Sequence, residues 1–165
     1  MARAKTGVNG KQKGKRAETD IAEKLADWLN LPMSEFQKAR AGKKEADVGF
    51  SLRARELFNY HCEIKHHAVP AYEAWIAQAM RDAPLVSGGA EPIVVFKEDR
   101  KILVFTRLEE FFRLCVRAEI LEYSQVFPDF ATAVCTRALG MWIRVPFNTF
   151  MELATVPMAD GEEAA

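Results

Sequence analysis

Three ionisable residues have types and spacing that could do chemistry together: Asp47, Glu63 and Lys65. Asp47 opens the run Asp47-Val-Gly-Phe50, and Glu63-Ile-Lys65 closes the run Phe58-Asn-Tyr-His-Cys-Glu-Ile-Lys65. In an extended strand alternate side chains share a face. Asn59, His61, Glu63 and Lys65 then project to one side, and Phe58, Tyr60, Cys62 and Ile64 to the other. Glu63 and Lys65 stand roughly 6–7 Å apart along the strand. If the two runs pair as a hairpin, Asp47 comes near Glu63, and two acids and a lysine converge. Two carboxylates at close range repel, so one of them tends to keep its proton. A divalent cation relieves that conflict, and an all-oxygen donor set suits Mg²⁺, with Mn²⁺ as a substitute. Taken alone, Glu-x-Lys on a strand is more often a solvated ion pair of little consequence.

A fourth acid, Glu18, falls within an amphipathic helix read from about Gly14–Lys15 to Leu29. Ile21, Ala22, Leu25, Ala26 and Leu29 form its apolar stripe, and Glu23, Lys24 and Asp27 its wet face. Glu18 lies three and four residues before Ile21 and Ala22, so it faces the protein body, where an acid needs a partner. As a first-turn acid it would instead favour the helix dipole. Asn30 and Pro32 end the helix. Residues 36–45 form a polar connection in which Arg40, Lys43 and Lys44 around Gly42 either grip phosphate or are simply a solvated loop. His66 and His67 are consecutive, so a strand would turn them to opposite faces, which disfavours a shared metal ion.

The remaining elements supply a frame. Tyr72–Ala83 reads as a helix with Gln78 off its apolar stripe. Ile93–Phe96 and Ile102–Phe105 read as a β-hairpin. Arg107–Val116 and Asn148–Leu153 read as helices, Ala131–Leu139 as a short helix, and Met141–Val145 as a strand. The two strand-then-aromatic-helix units, 102–112 and 141–153, are expected at the edges of one sheet. Phe111, Phe112, Phe127, Phe130, Trp142, Phe147 and Phe150 either fill the core or supply a dimer contact.

At 165 residues the chain can build one domain with a substantial core. No apolar run reaches the ~18 residues that span a bilayer. Cys62, Cys115 and Cys135 fit neither a zinc spacing nor a disulfide framework, and Cys62 is expected to be a core thiol. A reduced, cytoplasmic setting is expected, in a bacterium, an archaeon or a phage-infected host. Net charge is zero but uneven. Residues 1–16 hold no acid and carry Arg3, Lys5, Lys11, Lys13, Lys15 and Arg16, a basic arm suited to a polyanion or to solubilising the chain. The expected organisation is a disordered basic arm at 1–13, a single domain at 14–156 with 106–156 as a C-terminal extension, and an acidic tail at 157–165.

The order of these parts (a helix with an inward Glu, a strand with Asp, a strand with Glu-x-Lys, a helix, a strand) resembles the PD-(D/E)XK nuclease superfamily. Within it, the chain resembles phage and archaeal Holliday-junction-resolvase-like endonucleases. Lys13-Gly-Lys-Arg-Ala-Glu18, Ala46-Asp47-Val, Glu63-Ile-Lys65, Trp75…Gln78 and the Ile93–Lys97 strand carry the resemblance, over roughly residues 13–105. Ala46 stands where that family often has proline, and in 107–155 no part is matched to it from the motifs, which leaves the substrate type open.

The resemblance implies an α/β fold with a central mixed sheet flanked by helices, in the order αβββαβ, and a Mg²⁺-dependent DNA endonuclease. Asp47, Glu63 and the Ile64 carbonyl would hold the ion, Lys65 would activate water and stabilise charge on phosphorus, and Glu18 would serve a second ion directly or through water. Gln78 would orient substrate or the lysine. Lys13, Lys15, Arg16, Arg40, Lys43 and Lys44 would contact DNA phosphates. It further implies branched DNA as partner and a homodimer, with no membrane and no small-molecule cofactor. The alternatives are a duplex or damaged-DNA nuclease of the same superfamily, or a nucleic-acid-binding module that does not cut.

Overall fold

A computed structural model of the protein describes residues 8–38, 47–66, 70–98, 101–118, 133–136 and 139–155. The chain begins with the long helix α1 (Val8–Leu29). Ala17, Ile21, Ala22, Leu25 and Ala26 are buried along it while Glu23, Lys24 and Asp27 are exposed, the amphipathic division expected. The helix starts six residues ahead of the expected Gly14, so Val8–Lys13 are helical and not part of a disordered arm. Lysine and glutamine at 11–13 are good helix formers, and a helix nucleated by the packed turns after Ala17 extends at little cost. Asn30 ends α1 in the left-handed region, with φ of 51°, a conformation Asn tolerates at a helix C-terminus.

A 3₁₀ turn at Met33–Glu35 leads to β1 (Phe36–Lys38), which pairs antiparallel with β2 (Val48–Phe50) in register Phe36↔Phe50. This differs from the expected hairpin between the Asp47 run and the Glu63 run. A short helix, α2 (Leu52–Leu57), intervenes. Ser51 caps it by accepting from the Ala54 N–H at 3.1 Å, the usual role of serine at a helix start.

The strand β3 (Tyr60–Lys65) then forms one edge of a five-stranded mixed sheet. It pairs parallel with β4 (Glu91–Glu98) after the crossover helix α3 (Tyr72–Val86). The helix α3 continues through Pro84 to Val86, where the sequence suggested a stop at Ala83. The hairpin of β4 with β5 (Lys101–Arg107) is as expected, in register Val95↔Val104. Helix α4 (Leu108–Arg117) follows. The strand β6 (Ala133–Thr136) lies where a short helix was expected. It pairs antiparallel with β7 (Gly140–Pro146), and α5 (Phe147–Ala154) closes the domain. The order β3-β4-β5-β7-β6 puts β5 in the centre with β7 beside it, so the two strand–helix units are inner neighbours and not edges.

The sheet separates two apolar layers. Tyr60, Cys62, Ile64, Ile93, Val95, Val104, Ile143 and Val145 face the larger core, shared with α1, α4 and α5. Val94, Phe96, Phe105 and Trp142 face the smaller one under α3, with Trp75, Ile76 and Ala79. Each fully buried large apolar side chain contributes about 1.5–3 kcal/mol. Phe111, Trp142, Phe147 and Phe150 fill this monomer core while Phe112 is exposed. Phe127, Phe130 and the acidic tail lie outside the described residues. Cys62 and Cys115 are buried thiols. The central mixed sheet flanked by helices is the α/β architecture expected, and no described helix is long and apolar enough to cross a membrane.

Candidate active site

The site gathers at the outer edge of β3. Strand alternation sends Cys62 and Ile64 into the core under α1, and so turns His61, Glu63 and Lys65 towards α3. Because α3 covers that face, Glu63 is not a solvated surface acid: it is 4% exposed, and His61 1%. Glu63 Oε1 accepts a short hydrogen bond from Lys65 Nζ, and the same ammonium donates to Gln78 Oε1 on α3 at 3.0 Å.

Asp47 reaches this group without the strand pairing that was to bring it there. It sits at the mouth of β2, and its Oδ2 accepts the Ile64 backbone N–H at 2.7 Å. One side chain thus takes the place of a ladder partner on the open side of β3. A strand residue sends its N–H and C=O to the same edge, so the Ile64 carbonyl emerges on the Asp47 side.

Both carboxyls are pushed towards their protonated forms. Burial raises the Asp47 pKa, opposed by the Ile64 N–H, by Lys65 and by a hydrogen bond with Glu63. Burial, and next the charge of Asp47, push Glu63 up to about 7, with Lys65 pulling the other way. Two buried acids this close favour a shared proton or a cation.

The donor set is two carboxylates plus a backbone carbonyl, all oxygen, and so fits a hard divalent ion such as Mg²⁺ or Mn²⁺. Among the described residues no three His, Cys, Asp or Glu side chains cluster at metal-binding range. Two acids and a carbonyl are therefore what the protein offers here, with the rest left to solvent and substrate, as Mg²⁺ commonly accepts.

Glu18 is half-buried on α1, and α1 packs on the face of β3 opposite Glu63 and Lys65. Lys15 and Arg16 are exposed on the same helix. The backbone of Lys13 is helical, while Arg40, Lys43, Lys44 and His67 lie outside the described residues. His66 is exposed.

Asp82 and Ser87 escaped the sequence reading, while His61 was placed on this face without a role. Asp82, one helical turn beyond Gln78 on α3, adds negative charge that raises the Asp47, Glu63 and His61 pKa values, and it is held by Arg81 Nε at 3.0 Å. Its i, i+4 spacing from Gln78 was the available signal. His61 shares a 2.8 Å hydrogen bond between Nδ1 and Ser87 Oγ, while its Nε2 is buried with no hydrogen-bond partner among the described residues. Burial pulls its pKa down, and Asp82 opposes this.

No curated protein and no solved structure matches the chain. A family model does, that of the "Phage putative PDDEXK endonuclease", over residues 9–126. This span runs from α1 through β5 and α4 and takes in the whole Asp47–Glu63–Lys65 group and its α3 cover. With well over half of its length matched, the chain belongs to this phage PDDEXK endonuclease family, nucleases of the PD-(D/E)XK superfamily.

Proposed function

We propose that the chain is a Mg²⁺-dependent, structure-selective DNA endonuclease that acts as a homodimer on four-way junctions. The observation that carries the catalytic part is the seating of Asp47 on the Ile64 N–H, which brings it against Glu63 beside Lys65. Asp47, Glu63 and the Ile64 carbonyl would hold the ion, which when bound supplies a hydroxide at neutral pH and charge relief on the phosphate. The protein's own groups do the rest. The Ile64 N–H fixes one Asp47 oxygen and leaves the other available. Lys65, held between Glu63 and Gln78, would turn its ammonium to the phosphate and stabilise the charge that develops on phosphorus. Gln78 keeps that ammonium aimed, and Glu18, on α1, would serve a second ion or its water. Lys15 and Arg16, exposed on α1, hold backbone phosphates, with Lys13 two residues before Lys15 and Arg40, Lys43 and Lys44 in the connection before Asp47. Phosphate contacts of this kind position the duplex without reading bases. Junction cleavage calls for two cuts related by symmetry, which a two-fold dimer supplies.

The test is cleavage of labelled four-way junction, linear duplex and single strand, with Mg²⁺ or with chelator, by wild type and Glu63→Ala. Paired nicks in the junction alone, lost in the variant and in chelator, are expected. Equal cutting of duplex would keep the nuclease and remove the junction specificity. Binding without cutting, indifferent to Glu63→Ala and to metal, would overturn the catalytic reading.

A further inference from the structure

The acid pair is assembled across a seam that no β-ladder closes. Since β2 pairs with β1 and β3 pairs with β4, no ladder register fixes how far Asp47 stands from Glu63, as it would in a hairpin. A chain of polar contacts crosses the seam instead. Arg55, on the helix that follows β2, donates through Nε to the Phe50 carbonyl at 3.4 Å and through Nη1 to the Ser87 carbonyl at 2.6 Å. The Ser87 hydroxyl shares a hydrogen bond with His61 Nδ1 at 2.8 Å, and His61 lies two residues before Glu63 on the same strand face. Ser87 itself is 3% exposed and closes α3 through its N–H to the Ala83 carbonyl at 3.0 Å. It therefore touches all three parts that build the site: the segment carrying Asp47, the strand carrying Glu63 and Lys65, and the helix carrying Gln78.

We propose that Ser87, clamped by Arg55 and His61, is a positioning residue that sets the separation of Asp47 from Glu63 and the aim of Gln78 on Lys65; its catalytic consequence rests on the nuclease reading above. None of the three touches substrate. They act by holding the β2–α2 segment against β3, and a displacement of about 1 Å between reacting groups can cost about a hundredfold in rate. The Asp47–Ile64 hydrogen bond reports the separation directly, because the Ile64 N–H is covered only while Asp47 stays in place.

The experiment is amide hydrogen exchange by NMR on ¹⁵N-labelled wild type, Arg55→Gln, Arg55→Lys and Ser87→Ala, with thermal melts and cleavage kinetics on the same proteins. In Arg55→Gln, exchange at Ile64 is expected to accelerate about tenfold or more while Val95 and Val104 in the sheet centre stay within about twofold. The kcat should fall about tenfold with KM within about twofold, and Arg55→Lys, which keeps one donor for the Ser87 carbonyl, should recover most of both. Ser87→Ala removes only the hydroxyl bond to His61 and carries the test if Arg55→Gln does not fold. Unchanged Ile64 exchange in folded variants, or acceleration spread evenly over the sheet, would overturn the positioning role. If the wild type cuts no DNA while Ile64 exchange still responds, the nuclease reading falls and the clamp stands.

Discussion

Glu63 carries a pH signature that its neighbours impose. In the folded protein it keeps its proton up to about 7, against an ordinary value of 4.5. Between those values the native state binds more protons than the unfolded chain, so stability falls as pH rises through the window. Without divalent ions the melting temperature is expected to drop from pH 5 to pH 8, and Glu63→Gln to flatten that drop by on the order of 1–3 kcal/mol. Melts in chelator across this range check it, and parallel curves for the two proteins would count against the buried acid pair. If a cation takes the place of the shared proton, at pH 8 Mg²⁺ should raise the wild-type melting temperature and leave Glu63→Gln unmoved. Lys65→Ala should slow cleavage by about 10²–10⁴ in single-turnover assays. Lys65→Arg should rescue little, because a planar guanidinium does not fit where one ammonium bridges Glu63 and Gln78. The shared face of Glu63 and Lys65 was legible from strand alternation, while Asp47 and Gln78 were reached through the order of motifs. Asp82 and Ser87 were not, since their roles come from where α3 ends and not from any local pattern.

At the scale of elements, long periodic or β-branched segments were readable and short ones were not. Helix α1 and the β4–β5 hairpin follow from their apolar spacing. Helix α2 is six residues long, too short for a 3.6-residue period to declare itself, and missing it produced a false hairpin between β2 and β3. The segment 131–139 read as a short helix, but Ala-Val-Cys-Thr pairs along β7 from Ala133↔Ile143 to Thr136↔Gly140, and tertiary pairing overrides weak local propensity. The end of α1 offers a clean measurement. Asn30 holds a positive φ, so Asn30→Ala should cost about 1–2 kcal/mol and Asn30→Gly should be neutral or stabilising, as read by chemical denaturation. Ile21→Ala, at a fully buried point on the same helix, should cost about 2–5 kcal/mol.

Across the whole molecule the charges balance, yet the acid-free first sixteen residues and the exposed Lys15 and Arg16 give one end a positive field. If about six phosphates are contacted, DNA affinity should fall about a thousandfold for a fourfold rise in salt. The double variant Lys15→Ala/Arg16→Ala should lower the slope of log affinity against log salt by about two in fluorescence anisotropy titrations. One feature of the sheet reaches beyond cutting. The strand β3 ends the sheet, and an unguarded edge offers its backbone to any passing strand of another chain. Here the Asp47 carboxylate occupies the Ile64 N–H on that edge and places a charge-bearing group where a foreign strand would dock. If that carboxylate guards the edge, Asp47→Ala should self-associate on storage where Glu63→Gln stays monodisperse, as light scattering would show, and equal behaviour of the two variants would count against it.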